Sequence, residues 1–106
     1  MTQCKFKKRE LTDQLKIEID SLHLVAKNYP EQLIGKFIYV YWENDNKWYA
    51  GQIRKFSEST RKFSIVYDDN QQERLDLTNQ YFFFDETARP TGKYGKTKIE
   101  KTLMGT

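Results

Sequence analysis

Apolar and polar residues alternate along the centre of the chain, which is the pattern of half-buried β-strands. The alternation predicts five short strands, over residues 37–42, 48–56, 62–67, 72–77 and 81–84. Turn-forming residues separate them, among them Asn70, which adopts a positive φ at lower cost than most residues. Because short strands joined by tight turns bury their apolar face by curling, we expect a strongly bent antiparallel sheet that forms a small barrel.

A different spacing precedes the strands and predicts a helix over residues 11–28. Thr12 suits an N-cap, and Asn28 lies just before a proline that would end the helix. An alternating strand is the competing interpretation, because Ile17 and Ile19 are separated by a charged residue. On the favoured helix, one face would carry Leu11, Leu15, Leu22 and Ala26, with Ile19 and Val25 beside it.

These elements divide the chain into three segments. Residues 1–30 are a basic segment and the helix, residues 31–84 are the barrel, and residues 85–106 are a basic tail. We expect the first ten residues to be frayed. The tail contains Pro90, Gly92 and Gly95 between scattered lysines, so we expect it to be loosely ordered and flexible.

Charge and composition narrow the function. The 106 residues carry a net charge of +3, yet residues 34–84 contain seven Lys or Arg and seven Asp or Glu. A dedicated nucleic-acid binder usually has a stronger basic stripe on its folded part. The single cysteine excludes an internal disulfide and suits a reducing compartment, and no apolar run approaches the roughly 20 residues that cross a bilayer. We therefore expect no membrane partner.

Residues that commonly carry catalysis are sparse. Cys4 and His23 are the single members of their kinds, and both precede the predicted barrel. No Cys and His residues have the spacing of zinc ligands, and no glycine-rich loop is followed by the Lys-Ser/Thr pair that cradles phosphate. We expect a binding module and not an enzyme, without metal or cofactor.

Several short strings in the central half of the chain, in this order, resemble a Tudor domain of the chromatin-associated type. They are Leu33-Ile34-Gly35-Lys36, Val40-Tyr41-Trp42, Trp48-Tyr49-Ala50-Gly51-Gln52-Ile53, Ile65-Val66-Tyr67-Asp68-Asp69-Asn70, and then Glu73 and Leu75. The resemblance implies a mainly β, five-stranded, strongly bent antiparallel SH3-like barrel. It also implies a nuclear protein that recognises methylated lysine, or in other members methylated arginine, in a protein tail such as that of a histone.

The resemblance assigns an aromatic cage to particular positions. Its walls would be Trp42, Tyr49 and Tyr67, and Asp69 would close it. Glu73 stands where some members place a fourth aromatic wall, so it would either favour lower methylation states or leave the cage incomplete. Asn70 replaces the usual glycine of the turn.

Physical chemistry supports such a site, although each residue also has an ordinary structural role. A methylated ammonium is attracted to aromatic faces by roughly 0.5–2 kcal/mol per ring, so we expect weak binding, on the order of micromolar or poorer. Trp42 and Tyr49 also suit plain barrel packing, and Asp69 suits a turn. Glu73 suits a cross-strand pair with Arg74 or Arg54.

Two other functions remain open from the sequence. The first is weak nucleic-acid binding through Arg54, Lys55, Arg61 and Lys62, assisted by the lysines of the tail. The second is a structural protein–protein module. Binding that depends on methylation would identify the methyl-lysine reader, and binding that weakens steeply with salt would identify the nucleic-acid binder. A structural protein–protein module would show neither dependence. We expect the chain to be monomeric in all three cases.

Overall fold

The computed structural model describes residues 4–89 and contains one helix and six strands in that range. The helix α1 is Asp13–Asn28. A 3-10 turn, Pro30–Leu33, leads into the sheet. The strands are β1 (Phe6–Lys7), β2 (Phe37–Trp42), β3 (Lys47–Ser57), β4 (Lys62–Tyr67), β5 (Gln72–Leu75) and β6 (Phe82–Phe84).

The strands pair antiparallel in the order β5-β4-β3-β2-β6, with β1 added to β3. The eleven-residue strand β3 belongs to both halves of this sheet: its first half pairs with β2 and its second half with β4. The sheet therefore curls around β3 into an SH3-like barrel. The predicted fold class is confirmed, and the five expected strands are β2 to β6.

Gly51 lies at the bend of β3, where it is paired with both β2 and β4. A Cβ atom added there would lie 2.9 Å from Ile65 Cγ2 and 3.2 Å from Tyr67 Cδ1. The missing side chain lets β4 lie close against the backbone of β3.

A β-bulge follows three residues later. The pairing of β3 with β4 shifts between Ile53 and Lys55, so Arg54 is inserted without a partner. Ile53 is buried and Phe56 is half-buried, while Arg54 and Lys55 between them are both exposed. The bulge thus places two consecutive cations on the outer face of the sheet, which regular alternation does not allow.

Side chains on the two faces of the sheet form two cores. Ile38 and Val40 pack inside the barrel with residues of β3, β4 and β6. Tyr39, between them, points to the other face and packs with Leu15 and Ile19 of α1. Helix α1 is thus a second layer on the sheet, the hydroxyl of Thr12 caps it, and the strand interpretation of this segment is wrong.

The N-terminal residues do not match the expectation of fraying. Cys4 is buried in the barrel core, although the sequence placed it outside the barrel, and β1 pairs with β3. The indole Nε1–H of Trp48 donates to the carbonyl of Arg9 over 2.9 Å. Lys7 forms an ion pair with Asp85 at 2.6 Å. Residues 4–9 are thus attached to the barrel by backbone pairing, burial and charge.

The chain also stays ordered beyond the predicted end of the barrel. Asp85 accepts hydrogen bonds from the backbone N–H and the hydroxyl of Thr87, and Ala88 is buried. Burial opposes ionisation of Asp85, but the donors of Lys7 and Thr87 outweigh it and lower its pKa to about 2. The remainder of the predicted tail, residues 90–106, lies outside the described residues, and the three-segment division stays a prediction.

Replacing Gly51 with alanine tests the close approach of β3 and β4. The added methyl group collides with Ile65 and Tyr67, so we expect Gly51→Ala to lower the free energy of unfolding by about 1–3 kcal/mol. Urea denaturation measures this loss. Ser57→Ala, at the exposed end of the same strand, is the control and should change stability by less than about 0.5 kcal/mol. Equal stability of Gly51→Ala and the unmodified chain would contradict the steric argument.

Candidate functional site

The fold brings together three aromatic residues that the sequence assigned to a cage. Trp42 ends β2, Tyr49 is the third residue of β3 and Tyr67 ends β4. The ring centroids of Trp42 and Tyr49 are 6.0 Å apart with the planes at 89°, and those of Trp42 and Tyr67 are 6.2 Å apart at 73°. Trp42 therefore meets both tyrosines edge to face, which is a favourable arrangement for aromatic pairs.

The three rings differ in their exposure. Tyr49 and Tyr67 are 5% and 2% exposed and belong to the barrel core, while Trp42 is half-buried. Trp42 also borders an open cleft of about 520 Å³ between the end of β2, strand β5 and the turn before β6. The tyrosines thus support the ring of Trp42 from the core, and Trp42 presents aromatic surface to the cleft. Its lining includes Trp42, Glu43, Asn44, Glu73, Leu75 and Tyr81.

The hydroxyl groups of Tyr49 and Tyr67 each donate a hydrogen bond to a carboxylate. Tyr49 donates to Asp45 Oδ2 over 2.7 Å, and Tyr67 donates to Glu73 Oε1 over 2.9 Å. The hydrogen bond to Asp45, together with burial, raises the pKa of Tyr49 to about 12. Burial and the nearby charge of Glu73 raise the pKa of Tyr67 as well. Both phenols therefore remain neutral donors at physiological pH and hold their acids beside the aromatic rings.

Glu73 both lines the cleft and accepts the hydrogen bond of a buried tyrosine. It lines the cleft beside Trp42, and its carboxylate is oriented by the hydroxyl of Tyr67. Its observed side-chain partner is this tyrosine and not Arg74 or Arg54, which were the expected cross-strand partners. A negative group thus lies next to an aromatic face in an open cleft, an arrangement that attracts cations.

Asp69 is a turn residue in the structure, which is the ordinary role that the sequence analysis gave it beside the proposed role in the cage. Its Oδ1 accepts from the backbone N–H of Gln71 over 3.1 Å, in the turn between β4 and β5. Asn70 in the same turn has φ 69°, as its residue type predicts. The place of Asp69 in the cage stays a prediction.

Sequence reasoning missed two neighbours of the cage. Asp45 lies in the turn between β2 and β3, where acidic residues are common for structural reasons, and it accepts the hydrogen bond of Tyr49. Phe6 stands opposite Tyr49 in the pairing of β1 with β3 and packs edge to face on its ring at 6.1 Å. Phe6 is 45% exposed, and the ammonium of Lys47 lies 4.4 Å from its ring centre. The sequence around Phe6 contains no periodic pattern that would predict this contact, because Phe6 is a single aromatic residue among lysines.

The four cations proposed for nucleic acid separate into two places. Arg61, at the tip of the β3–β4 hairpin, donates to the carbonyl of Lys27 over 2.8 Å and lies 4.9 Å from the ring centre of Phe56. Lys62 begins β4 beside it. Arg54 and Lys55 instead border a groove on the outer face of the sheet. The structure therefore does not unite the four residues in one site.

No group of three or more His, Cys, Asp or Glu residues among residues 4–89 is arranged to hold a metal ion. No helix in the same range has both the length and the apolar character that crossing a bilayer requires.

The hydrogen bond between Tyr49 and Asp45 predicts an alkaline pH dependence. Because the pKa of Tyr49 is raised from about 10 to about 12 in the folded state, its stabilisation is complete below pH 10 and is lost as the pH rises through 12. Asp45→Asn removes the charged acceptor, so the pKa of Tyr49 should fall and the alkaline loss should begin earlier. NMR titration of ¹³C-labelled tyrosine measures both chains. Glu43→Gln, in the same loop, is the control, and an unchanged Tyr49 titration in Asp45→Asn would contradict the prediction.

Comparisons with known proteins find similar segments in two much longer plant proteins. No family model matches the chain. The chain is 36% identical over 53 residues, half of its length, to the DNA mismatch repair protein MSH6 of Arabidopsis thaliana, of which it covers 4%. It is also 36% identical over 76 residues, 68% of its length, to the histone-lysine N-methyltransferase TRX1 of Oryza sativa subsp. japonica, of which it covers 7%. It therefore spans only a small part of the length of these curated relatives.

One solved structure is matched over nearly the whole of its own length. The crystal structure of the Arabidopsis RDM15 Tudor domain, in complex with an H3K4me1 peptide, shares 34% sequence identity with this chain at a TM-score of 0.51. The match covers 52% of this chain and 95% of that one. The barrel accounts for about the same share of this chain, and its curled sheet agrees with the fold that the sequence motifs implied. The chain belongs to the Tudor domain family.

Proposed function

We propose that this Tudor domain binds a methylated lysine in a histone-type protein tail, with Trp42 as the main aromatic contact. The observation that carries the proposal is the ring of Trp42, supported by two buried tyrosines and facing an open cleft that contains Glu73. The similar RDM15 domain was solved with a methylated histone H3 peptide, which supports the choice of ligand. One relative is a histone-lysine N-methyltransferase and another a DNA mismatch repair protein, so we further propose a nuclear location. The RDM15 Tudor domain was solved as a peptide complex, which supports a non-catalytic binding role.

The aromatic site that we propose is rigid. Tyr49 and Tyr67 are buried in the barrel core and pack against the ring of Trp42, so binding requires little ordering of that ring. Preorganisation of this kind lowers the entropic cost of binding. Phe6 extends the aromatic surface beside Tyr49, and Asp69 stands at the far turn as the predicted closing group. The expected affinity remains on the order of micromolar or weaker, since few rings contribute.

We propose that lower methylation states of lysine are preferred. A monomethylated ammonium keeps two N–H donors, whereas a trimethylated one keeps none. Glu73 presents a carboxylate at the cleft that is oriented by Tyr67 and that accepts such a donor. A charged hydrogen bond contributes roughly 1.5–3 kcal/mol, which is enough to discriminate between states. The monomethylated peptide bound to RDM15 is in keeping with this preference.

Replacement of Trp42 tests the aromatic contact. Trp42→Leu keeps an apolar side chain but removes the aromatic face, so we expect the affinity for a monomethyl-lysine histone H3 peptide to fall about tenfold or more. Isothermal titration or NMR titration with methylated and unmodified peptides measures this change. The indole signal of Trp48, which is buried and bonded to Arg9, reports whether the variant is folded.

Tyr29→Leu is the matched control, because Tyr29 is exposed at the end of α1, on no element of the aromatic cluster. It should bind like the unmodified chain. Equal affinity of folded Trp42→Leu, or equal binding of methylated and unmodified peptides to the unmodified chain, would refute the reader function.

Replacement of Glu73 tests the preference for methylation state. In Glu73→Gln the side chain still accepts from Tyr67, so the wall keeps its position while its charge is lost. We expect the affinity for monomethyl-lysine to fall about tenfold and the affinity for trimethyl-lysine to fall less, which narrows the preference. Peptide titrations with all three methylation states measure the ratio.

Glu43→Gln is the control for general electrostatics. Glu43 is exposed and lines the same cleft, so its loss also removes one negative charge there. A purely long-range attraction weakens all methylation states by the same factor and leaves their ratio unchanged. If Glu73→Gln and Glu43→Gln behave alike, Glu73 does not set the preference for methylation state.

A further inference from the structure

The outer face of strands β3, β4 and β5 carries a cationic groove of about 490 Å³. The bulge in β3 places both Arg54 and Lys55 on this face, and Arg74 of β5 reaches the same groove. The floor between these cations contains Ser64 and Gln72. The groove thus combines three positive charges with a hydroxyl and an amide, which are the groups that commonly contact phosphate oxygens. Glu73 also lines the groove, at its border with the cleft beside Trp42, so two net positive charges remain.

The strand register places these groups in order across the sheet. Lys55 is paired with Ser64, and Ser64 is paired with Arg74, so the three residues form one row. Neighbouring strands are about 4.8 Å apart, which separates the backbones of Lys55 and Arg74 by about 10 Å. Two cations therefore flank a hydroxyl at a distance that accommodates a phosphate between them.

The three cations have no competing partner in residues 4–89. None of Arg54, Lys55 and Arg74 forms an ion pair or a side-chain hydrogen bond with another residue of that range. The nearest acid along the chain, Glu73, accepts from Tyr67 on the other face. By contrast, Arg61 is engaged by Glu58 and the Lys27 carbonyl. The charge of the groove is therefore available to an external anion.

We propose that this groove binds the phosphate backbone of duplex DNA, independently of base sequence. A basic protein tail is repelled by the three cations, so the groove is not an extension of the methyl-lysine site. Its lining contains no aromatic side chain on which unpaired bases could stack, which favours a duplex over a single strand. Backbone contacts of this kind position a protein on DNA and carry no sequence information directly.

The groove adjoins the proposed methyl-lysine site. Glu73 lies on the border of both the cleft beside Trp42 and the cationic groove. A protein tail and a DNA backbone that lie side by side thus occupy neighbouring sites of one domain. Two weak contacts joined in this way bind more tightly than either alone.

The test is the salt dependence of binding to a fluorescently labelled 15-base-pair duplex, measured by anisotropy with the 106-residue chain. Three phosphate contacts predict a slope of about −2.7 in log affinity against log salt, so affinity should fall about 40-fold between 50 and 200 mM salt. Arg54→Gln with Arg74→Gln leaves one contact, and the fall should shrink to about fourfold. NMR shifts of the unmodified chain should cluster at Ser64 and Gln72, which provides evidence without any variant.

Arg61→Asn with Lys62→Gln is the matched control. It also removes two positive charges, but from the adjacent hairpin tip. Asparagine tolerates the φ of 58° at residue 61. This control should keep the affinity and most of the slope. Equal loss in both double variants, an unchanged slope in Arg54→Gln with Arg74→Gln, or tighter binding of a polyglutamate peptide than of the duplex would each overturn the proposal. Methyl-lysine binding is measured separately with peptides, so failure here leaves the reader function standing.

Discussion

The close contact between strands β3 and β4 at Gly51 is the constraint on which the rest of the structure depends. Because Gly51 has no side chain, Ile65 and Tyr67 lie directly against the backbone of β3. This approach lets one strand pair with β2 along its first half and with β4 along its second. The resulting curl closes the barrel core. It also sets the position of Tyr67, on which Trp42 packs.

The candidate site is therefore an edge of the barrel core and not a separate attachment. Tyr49 and Tyr67 are buried as core residues, yet each hydroxyl is bonded to a carboxylate. A buried phenol without a partner would cost free energy, so Asp45 and Glu73 stabilise the fold at the same place where they give the site its negative charge. Rigidity and charge thus have the same origin, which suits a module that binds a small cationic group weakly but selectively.

A barrel of this size buries little apolar area by itself, and the chain adds a second core on the outside. Helix α1 covers Tyr39 and Trp48, which the alternation of β2 and β3 turns away from the barrel. Strand β1 covers part of the edge of β3, which would otherwise expose unpaired backbone groups. The outer face of β3, β4 and β5 receives no such cover within residues 4–89, and its cations remain accessible.

The features that depend on residues close together in the chain follow from the amino-acid sequence alone. Alternation and turn chemistry located the five barrel strands, the helical spacing and Thr12 located α1, and the family motifs brought Trp42, Tyr49 and Tyr67 into one site. The sequence missed β1, whose partner in β3 is about 40 residues away and whose two residues have no period to detect.

The construction of the site and the grouping of its charges follow instead from contacts between distant parts of the chain. The bulge at Arg54 arises from the pairing of β3 with β4, so alternation along one strand cannot reveal it. The partners of the tyrosine hydroxyls depend on how loops meet at the end of the barrel, and the sequence offered turn or cross-strand roles for the same acids. Periodic patterns report which face of an element is buried, whereas contacts between elements depend on register and curvature, which arise when the whole sheet assembles.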